Sequence, residues 1–213
     1  MKMINKKYQV FVSSTYADLK KERSEIIDLL LRFDCIPIGM EYFPANNLNQ
    51  MEYIARMIET SDYYILISAG KYGTIDQSTG LGYTEMEYDY ASSIKIPIMS
   101  FLHTSPEKLS PRKRETKDEY QIKLKAFQEK VSKGKLVNFY SETNDLVSKV
   151  ASSLAYCIKE FPSNGWIKAD NSDINEDLEN RINEILSNKT LTKTAIVEAV
   201  KRAAINVGID SGV

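Results

Sequence analysis

Five short apolar runs, residues 8–12, 35–40, 63–67, 96–102 and 136–140, alternate along the chain with segments whose apolar residues recur at helical spacing. Strands separated by helices pair in parallel, because each crossover must return over a face of the sheet, and the right-handed crossover rule leaves few topologies. The expected fold class is therefore α/β: a flavodoxin-like three-layer sandwich around a five-stranded parallel sheet of order 2-1-3-4-5. Thr15, with Asp18 three residues on, starts a first helix that runs to about residue 32 and turns Leu19, Ile26, Ile27 and Leu30 inward. Met51, Ile54, Ala55 and Ile58 mark the second helix, residues 84–93 the third and 118–132 the fourth. Leu146, Val150, Leu154, Ala155 and Ile158 mark the fifth. Pro37, which cannot donate to a ladder, places the second strand at an edge.

A chain of 213 residues, 43% of them hydrophobic, can bury one good core and carry a small appendage. Composition shifts after Phe161-Pro162, where Ser163-Asn164-Gly165 and the polar run 170–173 read as a linker. The expected division is an α/β domain over 1–166 and a small C-terminal helical extension over 167–213. The extension's stripes, from Ile174 to Ile185 and from Leu191 to Ala204, must pack on the main domain or on another copy, and self-association is expected. With 28 Lys and Arg against 29 Asp and Glu, the net charge of -1 argues against a nucleic-acid partner. The cluster Arg112-Lys113-Arg114 reads as a solvated face. No apolar run approaches the ~20 residues that span a bilayer, and residues 1–7 lack the apolar core of a signal peptide, so a cytoplasmic protein without a membrane partner is expected. Cys35, Cys157 and His103 are too few for a Cys/His zinc site, and no metal or cofactor is expected. The chain has neither Gly-x-Gly-x-x-Gly nor a phosphate-binding Lys loop, which argues against a Rossmann dehydrogenase and a P-loop NTPase.

Chemistry concentrates where the third strand ends. Residues 63–67 run into Ser68, Ala69 and Gly70, then Lys71-Tyr72-Gly73, small residues that let the backbone turn at the sheet edge where open parallel sheets bind ligands. A helix opening at Thr84 sets Glu85 and Glu87 at the rim of the same crevice, with Tyr83 beside them. Ser13, Ser14 and Thr15 lie where the first strand feeds a helix N-terminus, a place suited to phosphate oxygens or simply to capping. Tyr42 and Phe43, in the loop before Pro44, can stack on a base, pack against a neighbour or plug the sheet end. Lys71 and Tyr72 suit phosphate or ribose, or a plain tight turn. Helical spacing puts Glu87 on the stripe of Ala91 and Ile94, facing inward, and Glu85 on the stripe of Asp89 and Ser92. Thr84 and Glu87 also stand at capping-box spacing, a purely structural role for the same carboxylate.

Three segments, Val10-Phe11-Val12-Ser13-Ser14-Thr15-Tyr16-Ala17-Asp18-Leu19, Gly39-Met40-Glu41-Tyr42-Phe43-Pro44-Ala45 and Tyr83-Thr84-Glu85-Met86-Glu87-Tyr88-Asp89-Tyr90-Ala91, together resemble one family. It is the TIR-like bacterial domain of unknown function that starts Val-Phe-Val-Ser-Ser-Thr and also stands N-terminal to some NACHT NTPases. The resemblance covers roughly residues 8–166. It implies a TIR-like fold and, through the wider group that includes nucleoside deoxyribosyltransferases, cleavage of an N-glycosidic bond by a Glu on the helix after the third strand. Glu87, in the run Glu87-Tyr88-Asp89-Tyr90-Ala91, resembles the Glu-x-x-x-Ala pattern of those enzymes, with Glu85 as the alternative carboxylate. Thr84-Glu85-Met86 replaces the Trp-Cys pair that usually precedes the Glu of TIR enzymes. The implied function is nucleotide processing, with NAD as candidate substrate of a hydrolase or signal-producing cyclase in antiphage defence. A non-catalytic signalling module, with a nucleotide or a downstream effector protein as partner, and a deoxyribosyltransferase-like enzyme stand beside it.

Overall fold

The computed structural model describes residues 6–40, 50–134 and 136–167. It divides into two units, Lys6–Trp166 and a second formed by Met1–Asn5 with Ile167–Val213. Of the second only Ile167 is among the described residues, so the expected C-terminal helices lie outside them.

The first unit runs β1 (Gln9–Ser14), α1 (Tyr16–Arg32), β2 (Ile36–Ile38), α2 (Gln50–Glu59), β3 (Tyr63–Ser68), α3 (Tyr83–Ser93), β4 (Ile98–His103), α4 (Asp118–Ser132), β5 (Asn138–Tyr140) and α5 (Thr143–Glu160). All five strands are parallel, in the order β2-β1-β3-β4-β5. This is the flavodoxin-like sandwich that the alternation of runs implies. β2 is an edge strand, and Pro37 sits in it without costing the sheet a second ladder.

The pleat divides the core into two layers. Val10 and Val12 of β1, Tyr63, Ile65 and Ile67 of β3 and Phe101 of β4 pack against Leu19, Ile26 and Leu30 of α1 and Leu146, Val150 and Leu154 of α5. Phe11, Tyr64, Leu66 and Leu102 point the other way, onto Ile54 and Ile58 of α2, Tyr88 and Ala91 of α3, and Leu124, Phe127 and Val131 of α4. Phe11 stacks on Tyr64 at 5.6 Å between ring centroids, tying β1 to β3 on this second face. Both central strands are buried along their whole length, as strands covered on both faces must be.

Two expectations change in detail. On α1 Leu29 rather than Ile27 joins the buried stripe, and on α5 Cys157 is buried while Ala155 is exposed. The long connection after β4 does not simply hang in solvent. Two 3-10 turns, Pro106–Lys108 and Pro111–Lys113, carry it back over the end of β3, where Arg114 bridges Gly70 in parallel fashion and Lys113 reaches Glu22 of α1. A Cβ on Gly70 would lie 2.3 Å from the Lys113 carbonyl oxygen, so that close approach demands glycine. The basic cluster expected to be a solvated face is thus partly a clasp. Cys35 and Cys157 are free thiols inside the core. Among the described residues no helix is long and apolar enough to cross a membrane.

Candidate functional site

The end of β1 shows how a strand distributes chemistry. Ser13 and Ser14 are adjacent, so the pleat sends their side chains to opposite faces. Ser13 donates its hydroxyl hydrogen to a carboxylate oxygen of Glu87 on α3. Ser14 accepts a hydrogen bond of 2.9 Å from the Arg23 guanidinium on α1, and the same nitrogen donates to the Val12 carbonyl at 3.0 Å. The two charged side chains are 1% and 3% exposed. A buried acid and a buried base therefore meet the first strand from either layer.

Glu87 has one oxygen on Ser13 and the other without a partner. The Tyr64 hydroxyl, buried in the same layer, also lacks one and feels the Glu87 charge. Burial lifts the Glu87 carboxyl to about 7, against the opposing pull of the Ser13 hydrogen bond and the Arg23 charge. It is poised between acid and carboxylate near neutral pH. The capping-box role for Glu87 does not hold: the cap of α3 is Gly82, one residue before Tyr83, so Glu87 lies too deep in the helix to bond back to Thr84 and spends its oxygen on Ser13.

Above this pair, at the switch point between β1 and β3, opens a cavity of about 730 Å³. Ser14, Thr15, Lys71, Gly73 and Tyr83 line it, all five of them expected there from the sequence. Glu87 does not reach its surface and stands one step behind it, bonded to Ser13, the neighbour of the lining residue Ser14.

Other expected site residues turn elsewhere. Ser68 is buried and accepts a hydrogen bond of 3.1 Å from Gln128 of α4. Tyr72 is buried against α3, where its hydroxyl donates to Glu85 at 2.6 Å and accepts from the Gly82 amide at 3.0 Å. Burial first, and the Glu85 hydrogen bond second, push the Tyr72 phenol up to about 12. Glu85 was expected on an outward stripe with Asp89. It is buried instead, because Lys130 of α4 bridges both carboxylates, at 2.6 and 2.8 Å, and closes over them. Glu85 is thus a tie between α3 and α4, with no face toward the cavity. Tyr42 and Phe43 lie outside the described residues.

Sequence reasoning passed over Arg23, although it follows Leu19 by four residues and precedes Ile26 by three, the spacing of the buried stripe itself. A charged residue on an inner stripe is the signal that could have found it.

The sequence profile of a domain-of-unknown-function family, DUF4062, matches residues 9–155. No curated protein matches the chain. Among solved structures, a 2-desoxiribosyltransferase from Leishmania mexicana is similar at 12% identity and a TM-score of 0.43, covering 72% of this chain and 99% of that one.

Proposed function

The chain belongs to the DUF4062 family, and on that premise we propose that it is a TIR-like nucleotide-processing enzyme that cleaves the N-glycosidic bond of NAD, with Glu87 as the catalytic carboxylate. The observation that carries this reading is the Glu87 carboxyl itself. It is buried at the switch point, has one unpartnered oxygen, titrates near neutrality and is bonded to Ser13, the chain neighbour of Ser14 in the wall of a cavity large enough for half a dinucleotide. Glycosidic cleavage passes through an oxocarbenium-like state, and an anionic carboxylate beside the ribose would stabilise the growing positive charge. The N-terminus of α1, with Thr15 and Lys71 in the wall, suits the pyrophosphate. Reaction requires Glu87 to come to the cavity surface, which fits an enzyme that is silent until it assembles or meets a trigger. We place it in the cytoplasm in antiphage defence, acting as a hydrolase or as a cyclase whose product addresses an effector protein, with residues 167–213 driving self-association.

One observation favours a second reading. Glu87 is buried and does not line the cavity, as suits a non-catalytic module that binds a nucleotide and signals by assembly. Incubation of the concentrated protein with NAD and, separately, with deoxynucleosides, followed by chromatography of the products, decides between them. Release of nicotinamide that Glu87→Gln abolishes supports the enzyme. Base exchange on deoxynucleosides would make it a deoxyribosyltransferase. ADP-ribose binding without turnover of either substrate would leave the module.

A further inference from the structure

A second cavity, of about 290 Å³, lies on the α1–α5 side of the sheet, over the ends of β3, β4 and β5. Its walls join Asp18 and Glu22, one turn apart on α1, to Tyr140 at the end of β5, with Leu19, Ala69 and Leu109 as the apolar part. Asp18 is 2% exposed, and neither of its oxygens has a hydrogen-bond partner. Burial raises the Asp18 carboxyl above the ordinary carboxylate range; the nearby Thr15 hydroxyl and Asp18's own amide oppose this, yet neither makes a hydrogen bond of ordinary geometry. Lys71 and Lys113 act on Asp18 only through space. Glu22 spends one oxygen on Lys113 and Thr143, at 3.3 and 3.4 Å, and its other oxygen is unpartnered. The buried Tyr140 hydroxyl is unpartnered as well. The charges of Glu22 and Asp18 add to burial in pushing the Tyr140 phenol up, so the three groups converge on one space.

Buried polar atoms are left unpaired at a cost, and four of them around one cavity call for something that pairs them all. Three are carboxyl oxygens, which only accept when ionised, so a donor that carries positive charge pairs all three at once. Among the described residues no group of three acidic, His or Cys side chains could hold a metal ion. Asp18, when ionised, has no bonded counter-charge in the cavity, whereas Glu22 has Lys113, so burial favours the neutral form of Asp18 until a cation enters.

We infer that this cavity is a binding site for the primary ammonium or guanidinium group of a small molecule. Asp18 and the free oxygen of Glu22 receive its N–H groups, Tyr140 completes the cradle, and Leu19, Ala69 and Leu109 cover its aliphatic stem. The site faces the opposite layer from Glu87 and does not rest on the reading given above for that residue.

The test titrates the full chain with 1,4-diaminobutane and agmatine, and with uncharged 1,4-butanediol as control, at fixed ionic strength, by calorimetry and thermal melting. Saturable binding of an amine with a raised melting temperature is expected, and none with the diol. Asp18→Asn should weaken amine binding about tenfold or more, since hydrogen bonds to charged groups are the strong ones, and Tyr140→Phe about fivefold. Tyr140→Phe should melt no lower than wild type, because it removes an unpaired buried hydroxyl. Should Asp18→Asn fail to fold, Tyr140→Phe carries the comparison. The inference is overturned by an absence of saturable amine binding at millimolar concentration, by equal binding of the diol, or by amine binding that both variants retain in full.

Discussion

Ser13 and Glu87, 74 residues apart, share a hydrogen bond in which the last turn-in of the first strand holds the carboxylate of the third helix. The bond exists because Ser13 follows Phe11 by two positions and so points into the same layer as α3, while Ser14 points into the layer of Arg23. It sets the chemistry of the site, since Ser13 supports the charged form of a carboxyl that burial would otherwise keep protonated.

Glu87→Gln is expected to abolish turnover while leaving the fold intact, since volume is kept and the amide oxygen can still accept from Ser13. Its stability effect has a definite sign. The native Glu87 carboxyl lies at about 7, above its ordinary value of 4.5, so the native state holds a proton that the unfolded chain has released between those values. The stability this group contributes is present in full below about pH 4.5 and is lost as pH rises through 7. The Gln variant should therefore gain on wild type as pH rises, by up to about 3 kcal/mol at pH 8, and lose that advantage at pH 5. Denaturant midpoints at the two pH values measure it. A stability difference between variant and wild type that is the same at pH 8 as at pH 5 would contradict the buried titration.

Nicotinamide release by wild type should climb with pH along a limb of apparent pKa near 7, because the carboxylate form of Glu87 is the one that stabilises an oxocarbenium-like state. Ser13→Ala removes an interaction that favours that form and should move the limb to higher pH, with a stability cost of about 1 kcal/mol. A pH profile that the variant leaves in place would mean that Glu87 is not the titrating group.

Arg23→Lys keeps the charge near Glu87 but cannot serve the Val12 carbonyl and the Ser14 hydroxyl as the planar guanidinium does, and should cost about 1–2 kcal/mol. Arg23→Met should cost about 3 kcal/mol or more and should also raise the Glu87 pKa, since the opposing positive charge is gone. Urea midpoints and the pH profile report the two effects separately. A Lys variant with the wild-type midpoint would show that the guanidinium bonds contribute nothing beyond charge.

Gly73→Ala tests the cavity wall. Gly73 has φ +91°, and a Cβ there would lie 2.8 Å from Thr15 Cγ2, across the mouth of the crevice. The substitution should destabilise by about 1–3 kcal/mol and weaken ADP-ribose binding, because both the turn and the gap to Thr15 require a residue without a side chain. Titration calorimetry with ADP-ribose checks this, and unchanged affinity would place the ligand away from the β1–β3 crevice.

The order of the elements, the edge position of the Pro37 strand and the inward face of Glu87 were legible in the residues alone, because they follow from local periodicity and from crossover rules that hold for any right-handed parallel sheet. So was the pairing of the Ser14–Thr15 and Lys71–Gly73 segments across one crevice, since the switch point follows from strand order. Only the tertiary structure decided what each polar side chain meets. Glu85 reads as a surface residue until Lys130 on α4 closes over it, and Tyr72 reads as a ligand contact until its hydroxyl finds Glu85 and Gly82. Asp18, Glu22 and Arg23 share the inner side of α1 in a helix that looks like an ordinary amphipathic one, yet Asp18 and Glu22 face one cavity while Arg23 meets Ser14 and the Val12 carbonyl. Periodicity states which side of an element faces inward. The group waiting there belongs to a segment tens of residues away, and its identity depends on register and layer packing, which no local pattern carries.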